Sequence, residues 1–288
     1  MKTQTLKKSV IFILALGLII FFIVDMASAK ENGIEKILSE GKLPSILKLK
    51  EDKPQKYLVI TDYFNRDIYG NFFSKQRYRG TYSRGYSDKK VKWEKVTFET
   101  STDEKAPFGN GSPLAYMAGF CYVPSAEMMK AESFPNFPPA EVSVKNLVWD
   151  MMGFEGFAWL YFDSLKLNVP FQARAFNGKI PMEGVGNFEN KGIILTWTGV
   201  TFKNGEPCGV IEFLAMDNPL NFSFTMEQGN VEAKGRSHYW GTVLVSLTDK
   251  QLEGATLHED VVMDVTLPGN NKQLSDATRL ITVEKLNE

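Results

Sequence analysis

The chain has 288 residues and 33 basic against 34 acidic side chains, with only two histidines and two cysteines. A balance this close to neutral creates no field for gathering a polyanion, so no nucleic-acid partner is expected. Two cysteines cannot supply the four thiolates of an all-cysteine zinc site, and two histidines leave few arrangements for histidine-based catalysis.

Residues 1–29 read as an export signal. Lys2, Lys7 and Lys8 form a positive start, residues 10–24 (VIFILALGLIIFFIV) an uncharged apolar core, and Ala27-Ser28-Ala29 a small-x-small cleavage site. The expected mature chain begins at Lys30, with 288 less 29, or 259, residues. Losing the three lysines and Asp25 leaves 30 basic against 33 acidic groups, a net charge of −3. The competing reading is an uncleaved membrane anchor, because the 15-residue core approaches the roughly 20 residues that a spanning helix needs. No cysteine follows the core to carry a lipid, and no later apolar run is long enough to span. The expected location is periplasmic or extracellular. An oxidising compartment permits a disulfide between Cys121 and Cys208, which spacing alone does not establish.

Residues 30–56 form a separate lead-in. Ile34, Ile37 and Leu38 repeat at helical spacing and Ile46, Leu47 and Leu49 do so loosely, with Gly41 and Pro44 breaking the run. A short amphipathic helix and an extended approach are expected. From Tyr57 the pattern turns to short aromatic and β-branched runs: YLVIT, the turn-rich FNRDIYGN, KQRYRGTYSRGYS and VKWEKVTFET. Residues 101–113 read as a loop. SFPNFPPA (133–140) has three prolines and marks the candidate internal boundary of an otherwise single β-rich domain over 57–288.

Residues 146–167 are ambiguous. Leu147, Val148, Met151, Met152, Phe154, Ala158 and Tyr161 make a helical stripe, while Gly153 and Gly156 each weaken a helix by about 1 kcal/mol. The expectation is a helix over the first half and a buried strand at FAWLYF. Beyond residue 170 the chain reads as a meander. Asn204-Gly205, between IILTWTGVTF and CGVIEFLAM, is a strong hairpin signal. NFSFTM and NVEAKG flank a second turn, followed by SHYWGTVLVSL, ATLHEDVVMDVTL and TRLITVEKL. The glycines of GVGNFE (184–189) lack a surrounding βαβ unit and read as a turn, not a dinucleotide fingerprint.

The fold expected from this pattern is mainly β, an antiparallel meander curved into an open barrel or half-barrel, with one or two short helices. The alternative is a β-sandwich. Periplasmic lipid-carrier half-barrels share the first shape, by fold-level analogy alone.

One hairpin can be registered from its apolar pattern. A loop at 249–251 sets Val245 opposite Ala255, Val243 opposite Leu257, Tyr239 opposite Val261 and His238 opposite Val262, collecting the apolar residues on one face. The other face then carries Arg236, His238, Trp240, His258 and Asp260, a candidate ligand patch with Trp240 as a stacking platform and Arg236 as an anion contact. It also fits an ordinary solvated sheet face. This register holds the two imidazoles roughly 13 Å apart at the usual rise per residue, too far to share a zinc. No metal or cofactor is expected.

Between residues 63 and 93 basic and aromatic side chains interleave. Arg77, Arg79, Tyr82 and Arg84 form a candidate interaction surface, or a charged edge that blocks sheet-to-sheet association. Asn110-Gly111-Ser112 and Asn221-Phe222-Ser223 match the glycosylation pattern. GxSxG and HExxH are missing, and neither cysteine has a histidine near it in sequence. The function expected is therefore non-enzymatic binding of a hydrophobic or amphipathic, lipid-like small molecule. A β-sandwich hydrolase or carbohydrate-active enzyme, built on His238, His258, Asp260 and Glu259, is one alternative. A cell-envelope scaffold working through the basic-aromatic hairpins is the other.

Overall fold

The computed structural model describes residues 33–287 except 46, 87, 139–141, 183–185 and 227–228. The export signal, Ile46, Gly184 and Val185 lie outside the described residues. Residues 33–40 form α1, after which the chain runs extended; Ile37 and Leu47 lean on the core and Leu43 is buried in it.

Among the described residues thirteen strands make one antiparallel sheet. The first five are β1 (Gln55–Asp67), β2 (Phe72–Arg84), β3 (Val91–Ser101), β4 (Ser112–Pro113) and β5 (Cys121–Tyr122), followed by α2 (Val142–Trp159). Then come β6 (Phe171–Gln172), β7 (Gly178–Pro181), β8 (Gly186–Asn190) and β9 (Ile193–Lys203). The four longest returns close the chain: β10 (Glu206–Met226), β11 (Gly229–Ser246), β12 (Leu252–Leu267) and β13 (Asn271–Lys285). The path across the sheet is β4-β3-β2-β1-β13-β12-β11-β10-β8-β7, with β9 beside the first half of β10. Among the described residues its two ends do not pair with one another, so the sheet is a curved, open half-barrel.

Several local expectations change. GNFEN (186–190), overlapping the expected turn at 184–189, is strand β8. The segments CGVIEFLAM and NFSFTM form one strand, because a bulge near Asp217 (φ 58°) absorbs the irregularity between them. NVEAKG and SHYWGTVLVS likewise join as β11. The Asn204-Gly205 hairpin forms as expected, with φ of 52° and 79°, the left-handed pair of a type I′ turn.

The helix α2 fills the concave face and continues through FAW, where a strand was expected. Its inward residues Leu147, Val148, Met151, Phe154, Phe157 and Ala158 are buried, and Phe157 lies 4.8 Å from the Phe213 ring. Gly156, which argued against a helix, has a packing role. A Cβ there would sit 2.8 Å from the Phe176 ring.

Charged groups also tie α2 to the sheet. Arg279 on β13 reaches Asp150 on the helix at 2.8 Å and Glu259 on β12 at 2.6 Å. Ser237 donates to Glu259, and Asn146 on the helix donates to the Tyr63 hydroxyl.

The β11–β12 register differs from the expected one by two residues. Val243 faces Ala255, Tyr239 faces Glu259, Trp240 faces His258 and His238 faces Asp260. The physical reason is a wider loop, closed by Ser246 N–H to Gln251 O at 2.9 Å, together with a bulge between Leu244 and Val245. A shift of two preserves which residues share a face.

An amphipathic cleft at the end of the helix

The five residues expected to form a ligand patch do share one face, the outer face, opposite α2. Arg236 and His258 are exposed, Trp240 is 39% exposed, and His238 and Asp260 are half-buried. His238 Nδ1 accepts the backbone N–H of Asp217 at 3.0 Å, and Arg236 lies 3.5 Å from the Asp217 carboxylate. Both residues therefore secure the β10 bulge. The rings of Trp240 and His258 stack, 5.8 Å apart and 13° from parallel. The new register brings His258 closer to His238 than expected, two residues along the facing strand instead of four.

The candidate interaction surface divides between the two faces of β2. Arg79 is exposed on the outer face. Arg77 lies on that face too, but it is bound to both oxygens of Asp62 at 2.6 Å and covered by the Phe108 ring, 4.2 Å away. Tyr82 and Arg84 point inward, and Tyr82 is fully buried. Arg84 thus leaves the surface group and enters the interior. Cys121 is exposed and Cys208 buried, and both are free thiols, so the disulfide open to an exported chain is not formed.

Around Arg84 lies a cleft of about 580 Å³. The end of α2 supplies Glu155, Gly156, Trp159 and Leu160. The end of β2 and its connection to β3 supply Arg84, Gly85, Lys89, Lys90 and Val91, while Val123 and Pro124 close one side and Glu51 another. Gly85 makes this convergence possible: it has φ of 87°, and a Cβ would stand 2.6 Å from the backbone oxygen of Lys53. Only glycine lets the Glu51–Lys53 segment pass so close.

Two carboxylates bracket the Arg84 guanidinium. Glu155 Oε1 is 2.5 Å from Nη1, and Glu51 Oε1 is 2.8 Å from Nε. The Trp159 ring lies 4.2 Å beneath the guanidinium, and Trp159 Nε1 donates to Lys250 O at 2.8 Å. Tyr82 donates to the same Glu155 oxygen at 2.6 Å. Burial pushes the Glu155 carboxyl up from its ordinary range, against the opposing pull of Arg84 and the Tyr82 hydrogen bond. For Arg84 burial is the largest influence and works against the charge, but Glu155, Tyr82 and Glu51 together outweigh it and the guanidinium is held above its usual value.

Glu155 is the residue that sequence reasoning passed over. A signal was there: it is the single charged residue in MMGFEGFAWLYF (151–162). An acid carried into a buried apolar helix needs a cation, and β2 provides one. The cleft beside the pair is amphipathic. Leu160 and Val123 are 57% and 48% exposed at its lip, and Lys89 and Lys90 are exposed at its side.

Fold and cleft together define an open antiparallel β-sheet protein whose concave face is filled by a helix, with a small amphipathic cleft at the helix end. No family model matches the chain, and no curated protein does. Among solved structures it is similar to one titled "Lipid-protein interactions in lipovitellin", at 11% identity and a TM-score of 0.43. The match covers 83% of this chain and 26% of that one, so this chain spans about a quarter of its length. A likeness this loose carries no argument about function.

Proposed function

We propose that this chain is an exported, non-enzymatic binding protein for a hydrophobic or amphipathic small molecule of lipid type, held in the cleft between the end of α2 and the β2–β3 connection. The carrying observation is the cleft itself. Its 580 Å³ falls inside the span of roughly 300–1,000 Å³ common for small-molecule sites, with exposed Leu160 and Val123 beside fixed polar groups. The concave face of the sheet offers a ligand less, because α2 and the buried aromatic side chains fill it. Export rests on the signal-like order of residues 1–29. The non-enzymatic part of the reading draws support from the outer-face residues, since His238 is engaged by the bulge and His258 by Trp240.

Native mass spectrometry and solvent extraction of the purified protein test the reading. Co-purifying amphiphile, lost in Leu160→Glu and Val123→Glu variants that retain the wild-type melting temperature, is the expected result. Protein that stays empty and binds no amphiphile in titrations sinks it.

A further inference from the structure

Which head group such a ligand carries can be argued from the charges that the cleft leaves available. This step rests on the proposed binding function. Five charged side chains line the cleft: Arg84, Lys89 and Lys90 against Glu51 and Glu155. The arginine is the obvious anion receptor, yet it is already committed. Two carboxylates and the Trp159 face surround it, and its side chain is only 11% exposed. An incoming anion would have to displace Glu51 or Glu155, and the latter is itself buried. Quaternary ammonium groups fare no better, since the aromatic face and both acids that would receive one already hold Arg84.

The open charge lies on the β2–β3 connection. Lys89 is exposed, sits at φ of 59°, and makes no ion pair with any described residue. Lys90 is 52% exposed and, among the described residues, pairs with the equally exposed Asp88 alone, at 3.4 Å. Both lysines line the same cleft as the apolar residues Val123 and Leu160.

We infer that the cleft takes an amphiphile with an anionic head, a carboxylate or a phosphate monoester. Lys89 and Lys90 receive the head, the Leu160–Val123 lip takes the chain, and Arg84 serves as a strut that positions Trp159 and Glu155 without contacting the ligand's charge.

Calorimetric titration of the purified protein with four dodecyl compounds, each below its micelle concentration or solubility limit, tests this: dodecanoate, dodecyl phosphate, dodecanol and dodecyltrimethylammonium. The two anions should bind at least about tenfold more tightly than the alcohol and the cation. In Lys89→Glu/Lys90→Glu that preference should vanish while dodecanol affinity is unchanged. Lys234→Glu/Lys272→Glu, which changes net charge equally at distant positions, should behave as wild type. The difference between dodecanoate and dodecyl phosphate shows which anion the lysines favour. Equal binding of all four compounds, or a preference that survives the double reversal at Lys89 and Lys90, overturns the inference and leaves the binding function standing. Binding of none overturns both.

Discussion

Arg84 Nη1 lies 2.5 Å from Glu155 Oε1, joining the last inward residue of β2 to a buried acid near the end of α2. This pair decides how the helix end sits on the sheet. Removing one partner strands the other in a low-dielectric site, at a usual cost of about 3–5 kcal/mol. Arg84→Met should therefore destabilise the protein by about that much in urea unfolding, whereas Arg84→Met/Glu155→Leu should recover most of the loss. A single-variant loss below about 1 kcal/mol would mean that water solvates Glu155 without its cation.

The second buried pair makes stability pH-dependent. Burial pushes the Asp150 carboxyl up to about 7; Arg279 opposes the shift and Glu259 adds to it. An aspartate in the unfolded chain titrates near about 3.9. Between those values the folded protein holds a proton that the unfolded chain has released, so the contribution is complete below about pH 4 and is lost as pH rises towards about 7. The slope is up to about 1.4 kcal/mol per pH unit. Unfolding free energies measured across this window should fall less steeply in Asp150→Asn than in wild type. Parallel slopes refute the assignment. Glu155, Glu253 and Asp276 are also shifted upward, so the comparison between the two proteins isolates Asp150.

The thiols should report separately. Cys121 is exposed, while burial pushes the Cys208 thiol up to about 12. Alkylation near pH 8 should modify Cys121 alone in the native protein and both cysteines in denaturant. Failure to modify either without prior reduction would reveal a disulfide.

Gly235 and Gly241 on β11 should matter more for stability than the exposed Trp240 between them. An added Cβ at Gly241 would sit 2.0 Å from the Thr256 oxygen and 2.7 Å from the Phe213 ring; at Gly235 it would sit 2.4 Å from the Val262 oxygen. Gly241→Ala should cost about 1–3 kcal/mol or more as β11, β12 and the helix-facing Phe213 move apart. Trp240→Ala removes only the outer-face stack with His258 and should cost about 1 kcal/mol or less. Thermal melts of the two variants decide the order.

Much of the architecture was legible because strand alternation and turn chemistry are local. Arg77 and Arg79 do share the face opposite Tyr78 and Tyr82, and Asn204-Gly205 turns where its φ preferences require. Arg84 escaped the same logic. Its alternation places it with Tyr82, but nothing nearby in sequence announces that a helix acid some seventy positions on will meet it. The length of α2 escaped for a similar reason. Gly156 costs helix propensity locally and is repaid by the distant Phe176 ring.

The sequence by itself determined the strand-rich class, the hairpin at 204–205 and the grouping of Arg236, His238, Trp240, His258 and Asp260 on one face. Each follows from periods and backbone preferences that act within a few residues. Tertiary structure decided the rest: the two-residue register of β11 against β12, the joining of short runs into β10 and β11, the helix through Trp159, and the Arg84–Glu155 pair beside the cleft. Face identity repeats every two residues, so a register shift of two leaves the pattern intact. Only loop width and bulges, set by packing against α2 and neighbouring strands, choose between such registers.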